Sequence, residues 1–121
     1  KGCRPPLLQR VVARIHDVNT VNNGGRTALM IAALNNQLDV VISLMNHPGV
    51  DLNVQHRRYY NFTALQLAVR NNHPAIVSQL LSDDKMDASL KDDDNRTALK
   101  LAIDIGRAEC VTILRQHGAP E

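Results

Sequence analysis

Aromatic residues are nearly missing from this sequence: there is no tryptophan, and Tyr59, Tyr60 and Phe62 are the whole set. With all three inside one short segment, none is expected in the core. The platforms on which single-stranded nucleic acids stack are absent too. No apolar run approaches the roughly 20 residues that a membrane-crossing helix needs, so neither a nucleic acid nor a membrane is expected as a partner. Cysteines are few, and Cys3 and Cys110 form no metal-ligand spacing and no Cys-x-x-Cys pair. Cys110 falls among apolar residues and reads as a small core hydrophobe, while Cys3 reads as a free, exposed thiol. Nothing supports a disulfide between them, so a reducing, intracellular setting is expected.

Catalytic signatures are lacking as well. Asn22-Asn23-Gly24-Gly25 is a turn rather than a phosphate cradle. No Ser-His-Asp or Cys-His pattern occurs where a nucleophile would be activated. The histidines His16, His47, His56, His73 and His117 sit at unrelated positions, which favours turn and loop roles over metal binding. Asp92-Asp93-Asp94 lacks the alternating ligands, glycine and closing glutamate of a calcium loop, and reads as a solvated acidic hairpin. No pocket with a perturbed acid or base is foreshadowed. The expectation is a protein that is not an enzyme, with no catalytic residue, metal or cofactor.

Charge is unevenly spread. The net charge is +2, yet residues 1–82 carry +5 and residues 83–121 carry −3. An elongated dipole is expected, basic toward the N-terminal end. The opening Lys1-Gly2-Cys3-Arg4-Pro5-Pro6 has no apolar leader, and the chain does not start with Met. A domain taken from a longer protein is therefore expected.

What the sequence does contain is a phrase in three copies. Thr27-Ala28-Leu29-Met30-Ile31-Ala32, Thr63-Ala64-Leu65-Gln66-Leu67-Ala68 and Thr97-Ala98-Leu99-Lys100-Leu101-Ala102 start 36 and 34 residues apart. Periodicity of that length means stacked supersecondary units, each too small to bury its own apolar face. In every unit the threonine suits an N-cap. A turn follows at Asn35-Asn36-Gln37, Asn71-Asn72-His73 or Gly106, and Pro74 suits the first position of a helix. Leu38, Val41, Ile42 and Met45 then form a helical apolar stripe, matched by Ile76, Val77, Leu80 and Leu81 and by Val111, Ile113 and Leu114. Ahead of the phrases recur Asp17-Val18-Asn19, Asp51-Leu52-Asn53 and Asp87-Ala88-Ser89, whose Asx side chains suit local backbone bonding.

The phrase and its period resemble the ankyrin repeat, with its T-P-L-H-x-A signature at about 33 residues. The resemblance runs from about residue 7 to residue 119. It implies an all-α solenoid of helix-turn-helix units joined by β-hairpin-like loops, organised as one domain over residues 1–121. Residues 1–20 are expected to be a cap or a partial repeat, with Leu7, Leu8, Val11, Val12 and Ile15 as its apolar stripe. Repeats are expected over 21–54, 55–90 and 91–121. The family's proline is Ala in every copy, and its histidine is Met30, Gln66 and Lys100. The hydrogen-bond network of that histidine is thus expected to be missing and the turns weakened.

One interval departs from the pattern. Ten positions separate Asp17 from Thr27 and Asp87 from Thr97, but twelve separate Asp51 from Thr63. Two residues are inserted in the middle hairpin, His56-Arg57-Arg58-Tyr59-Tyr60-Asn61-Phe62, which also holds every aromatic. Insertions in such arrays map to loops, often on the binding face, and Tyr and Arg are enriched in interface hot spots.

By resemblance, partners engage the hairpin tips and the exposed edge of the first helices. Those positions are Asn23, Gly24, Arg26, Leu34 and Asn35; Tyr59, Tyr60, Phe62, Arg70 and Asn71; and Asp93, Asp94, Arg96, Asp104 and Ile105. Arg57 and Arg58 join them as binding candidates from the inserted tip. Phe62 leans toward local packing, the two tyrosines divide evenly between packing and binding, and Arg57 and Arg58 are otherwise solvated loop charges. The implied function is a protein–protein interaction module, monomeric as an isolated domain, that binds another protein or a peptide segment on its concave face. The alternative is an intramolecular regulatory or spacer domain within a larger parent.

Overall fold

The computed structural model describes residues 18–121. The expected N-terminal cap over residues 1–20 lies outside them but for its last three positions, as does Cys3. Among the described residues there are six α-helices, one 3-10 turn and no strand. The expected all-α solenoid is what forms.

Each unit begins at its threonine. Thr27, Thr63 and Thr97 take extended backbone, and their hydroxyls accept the N–H of Met30, Gln66 and Lys100 at 3.2, 3.1 and 3.2 Å. These bonds satisfy donors that a helix start leaves orphaned. The helices that follow are α1 (Ala28–Leu34), α3 (Ala64–Arg70) and α5 (Ala98–Asp104). After each, one residue turns left-handed: Asn36 at φ 57°, Asn72 at 58° and Gly106 at 74°. Asparagine and glycine are the residues that take this conformation at least strain. The chain then doubles back, held by Gln37, His73 and Arg107 donating N–H to the carbonyls of Ala32, Ala68 and Ala102. It re-enters helix as α2 (Leu38–Met45), α4 (Pro74–Leu81) and α6 (Ala108–Gln116), with Pro74 at the first position of α4.

Packing makes two rows. In the inner row α1 packs on α3 and α3 on α5; in the outer row α2 packs on α4 and α4 on α6. Ala32, Ala33, Ala68 and Ala102 are buried, and such small side chains bring the inner helices close. Leu44, Leu80 and Leu114 fill the outer row, with Cys110 buried beside them as a free thiol. Together they form one continuous core.

Polar clips tie each unit to the next. Asn19 donates to the Gly49 carbonyl at 2.9 Å and accepts from the Asp51 N–H, and Asn53 does the same with Lys85 and Asp87 at 2.8 Å. Asp51 and Asp87 in turn accept the N–H of Asn53 and Ser89. His73 takes a structural role, its Nε2 lying 3.1 Å from the Leu34 carbonyl.

The expected loss of the histidine network does not occur in the middle unit. Gln66 is fully buried, its Oε1 accepts the Thr63 N–H at 2.9 Å, and its Nε2 donates to the carbonyls of Arg96 and Leu90 at 2.8 and 3.2 Å. A carboxamide carries both a donor and an acceptor, so it closes its own helix cap and bridges to the next hairpin. In the first unit the Met30 sulfur accepts the Thr27 N–H at 3.4 Å, a weaker closure.

Candidate partner-binding face

The three hairpins stand side by side, and the last residues of α3 and α5 reach them, Arg70 over Phe62 and Asp104 beside Arg96. The first and third hairpins share one device. Asn22 Oδ1 accepts the N–H of Gly24 and Arg26, and Asp92 Oδ1 accepts the N–H of Asp94 and Arg96. Asn22 and Arg26, and Asp92 and Arg96, also pair through their backbones at 2.9 and 3.0 Å. The expectation of a wholly solvated acidic hairpin is thus corrected at Asp92, which is 6% exposed because its carboxylate staples the turn. Asp93 and Asp94 are exposed.

The middle hairpin is built differently. Its two extra residues are taken up by a 3-10 turn over Arg57–Tyr59, capped by His56, whose Nδ1 accepts the Arg58 N–H at 3.0 Å. Tyr60 and Asn61 then both turn left-handed, at φ 55° and 53°. Asn61 stands two residues before its threonine, as Gly25 and Asn95 do, and all three share that conformation. Tyr60 has no counterpart, and a bulky residue there is strained by about 1–3 kcal/mol.

This backbone path divides the aromatics. Tyr59 and Phe62 point inward, 8% and 6% exposed, so the expectation that the core holds no aromatic is overturned. Tyr60 points out and is 60% exposed. The three rings form a triangle with centroids 5.8–6.1 Å apart, within the range of favourable edge and tilted contacts. Arginines flank it. The Arg26 guanidinium lies 4.3 Å from the Tyr59 centroid and that of Arg70 lies 5.4 Å from Phe62, both in cation–π range.

Neighbouring hairpins brace the insertion. Gly25 has no side chain, and a Cβ there would stand 2.9 Å from the Arg58 Cβ and 3.2 Å from the Tyr59 nitrogen. Arg58 Nη1 reaches the Asn23 carbonyl at 3.5 Å, while Arg57 is exposed. On the other side the Tyr60 carbonyl accepts the Asp93 N–H at 3.0 Å, and Asn61 Nδ2 donates to Asp93 Oδ1 at 2.7 Å. Gln55 Nε2 donates to the carbonyls of both Asn61 and Lys91.

Between the middle and third hairpins opens a cleft of about 230 Å³, lined by Tyr60, Phe62, Arg70, Asp92, Asp93, Asp94 and Arg96. Six of these seven are binding positions expected from the sequence; Asp92 is the addition. Arg96 organises the acidic wall. Its Nη2 lies 3.2 Å from Asp94 Oδ2, its Nε 3.5 Å from Asp92 Oδ2 and its Nη1 4.0 Å from Asp104 Oδ2, while Lys100 Nζ lies 3.3 Å from Asp104 Oδ1. The Nε–Asp92 pair is an ion pair only, since neither atom makes a hydrogen bond. Asn23 and Arg26 lie at the first hairpin, outside this cleft. The bridges made by Gln55, Asn61 and Gln66 are not among the sequence-based expectations. Their one signal is the glutamine at the third position of α3, a capping-box mark.

Among the described residues no group of His, Cys, Asp and Glu is arranged to hold a metal, and no helix is long and apolar enough to cross a membrane. A family profile described as "Ankyrin repeats (3 copies)" matches residues 3–56 and 49–120. The chain belongs to the ankyrin repeat family. Curated relatives match nearly its full length. The SMC5-SMC6 complex localization factor protein 1 of Bos taurus is 34% identical over 119 residues, and that of Homo sapiens is 31% identical over 119. Each alignment covers 98% of this chain but 11% of the relative, so the chain corresponds to a small part of those proteins. As an ankyrin array it is a protein–protein interaction module.

Proposed function

We propose that this array is a non-enzymatic, intracellular docking module, monomeric by itself, which binds a partner protein along the hairpin tips and the ends of α1, α3 and α5. The site comprises Asn23, Arg26, Arg57, Arg58, Tyr60, Arg70, Asp93, Asp94, Arg96 and Asp104, with Tyr59 and Phe62 as its internal support. In the same reading, three repeats span 21–54, 55–90 and 91–121. The observation that carries it is Tyr60: an exposed ring on a strained backbone, beside a cleft whose walls hold charges of both signs. Strain of that kind collects at binding sites, and exposed Tyr and Arg side chains are the commonest anchors of interfaces. The relatives carry the name of a localization factor for the SMC5-SMC6 complex, and a role in placing such an assembly through a docked partner is consistent with the module.

Site-directed photo-crosslinking in the parent protein tests this. A crosslinking amino acid at Tyr60 or Asn35 should yield adducts to another polypeptide, and one at Ser78 or Thr112 on the outer helices should not. Adducts from the outer helices alone would overturn the assigned face. Adducts confined to other segments of the same chain would favour an intramolecular regulatory role.

A further inference from the structure

The cleft beside Tyr60 has a charge arrangement more selective than its net charge. Of its lining groups, Asp92 and Asp94 are ion-paired with Arg96. Arg70 and Asp93 do not take part. Arg70 is exposed with its guanidinium over the Phe62 ring, and among the described residues no carboxylate lies within ion-pair distance of it. Asp93 is exposed and held by the neutral Asn61 amide, with no cation at ion-pair distance among the described residues. Both line the same cleft, together with the exposed Tyr60 ring.

Each of the two is also fixed in place. The cation–π contact with Phe62 restrains the long Arg70 side chain, and a guanidinium takes a carboxylate through two parallel hydrogen bonds. Asp93 is tied through both backbone and side chain to Tyr60 and Asn61, so it too loses little freedom on binding. The cleft volume is many times what one water requires.

Resting on the docking role above, the geometry points to a receptor for a peptide segment carrying two opposite charges: a carboxylate side chain that engages Arg70 and a cationic side chain that engages Asp93, with intervening aliphatic atoms against Tyr60. A segment of one sign alone satisfies one wall and faces repulsion from the other, so the site discriminates by charge order.

The test uses the 121-residue chain and a displayed library of random dodecapeptides as the probe. Selection on the unaltered protein should enrich sequences that hold an Asp or Glu and a Lys or Arg at constant spacing. Arg70→Met keeps a long unbranched side chain at an exposed position, and Asp93→Asn keeps the acceptor for Asn61, so neither is expected to disturb folding; thermal melts check this. Each variant should weaken the selected peptide by ~10-fold. Fresh selection on Arg70→Met should lose the acidic preference, and on Asp93→Asn the basic one. Peptides that bind equally well to both variants while losing affinity to Tyr60→Ala would overturn the charge-pair assignment and leave the docking role standing. No enrichment of any peptide would overturn this cleft as a peptide receptor, and the crosslinking pattern would then judge the docking role by itself.

Discussion

The middle and third hairpins occupy equivalent places in the repeat and solve the same problem in different ways. The third closes on one buried carboxylate, Asp92, which accepts two backbone N–H groups and leaves Asp93 and Asp94 at the surface. The middle, two residues longer, closes on His56 and a 3-10 turn, sends Tyr59 and Phe62 inward and holds Tyr60 outward on a left-handed backbone. The regular hairpin is stapled by polar groups; the inserted one is a small aromatic core in its own right. Lengthening a repeat has therefore added a packing unit and an exposed ring together, on opposite sides of the same aromatic triangle.

The sharpest way to break this comparison is to hollow out the repeat beneath the inserted hairpin. Leu65 is 1% exposed in the continuous core, and Leu65→Ala should destabilise by about 2–5 kcal/mol, read as a lowered midpoint in urea unfolding. Within the hairpin, Tyr59→Ala should cost about 2–4 kcal/mol, because it removes a buried ring and the face on which Arg26 stacks. Tyr60→Ala should leave stability within about 0.5 kcal/mol, as exposed positions usually do. Equal losses at both would mean the triangle is not divided into an inward and an outward part. The same contrast separates two tyrosines that the sequence alone divides evenly between packing and binding.

Across hairpins, Asp92→Ala should cost about 1–3 kcal/mol, since it leaves two turn N–H groups without their acceptor in a buried setting. Asn22→Ala, at the exposed counterpart, should cost less. Tyr60→Gly should raise stability by about 1 kcal/mol through relief of the left-handed strain, while weakening any partner that uses the ring. A gain in both would show that the strain has no functional return.

The smallest effect is in the pH dependence. The Ser89 hydroxyl, and after it the Ser89 N–H, holds the exposed Asp87 carboxyl below its usual range. A carboxyl with a depressed folded value contributes stability above its unfolded value and loses it as the pH falls through the folded one. Acid titration of the midpoint should therefore be slightly shallower in Ser89→Ala. Cys110 runs the other way: burial, then the Glu109 charge, pushes its thiol up against a smaller opposite effect of Arg107. Its contribution is present below the unfolded thiol value and fades as the pH rises past it, so Cys110→Ala should flatten the alkaline limb.

Much of the scaffold was legible because it rests on local chemistry repeated three times. In all three units a threonine before Ala-Leu caps a helix, and Asn36, Asn72 and Gly106 stand where the chain turns left-handed between paired helices. The lining of the cleft was legible in all but Asp92, but not which of its side chains are buried. Tyr59, Tyr60 and Phe62 are similar in kind, and no periodicity tells which of three neighbouring turn residues faces inward. Asp92 reads like its two neighbours, and only its position as the hairpin staple buries it. Gln66 replaces the family's histidine with a group able to donate and accept, a repair visible only when the Leu90 and Arg96 carbonyls stand beside it.

By itself the sequence determined the repeat, its helix caps and turns and the place of the insertion, since each follows from the residues at a few neighbouring positions. The tertiary structure alone decided which aromatic is exposed and which is core, which aspartate is staple and which is surface, and that Arg70 and Asp93 line one cleft. Those outcomes depend on contacts between hairpins roughly one repeat apart in the chain, where burial and pairing are properties of the stack and not of any one segment.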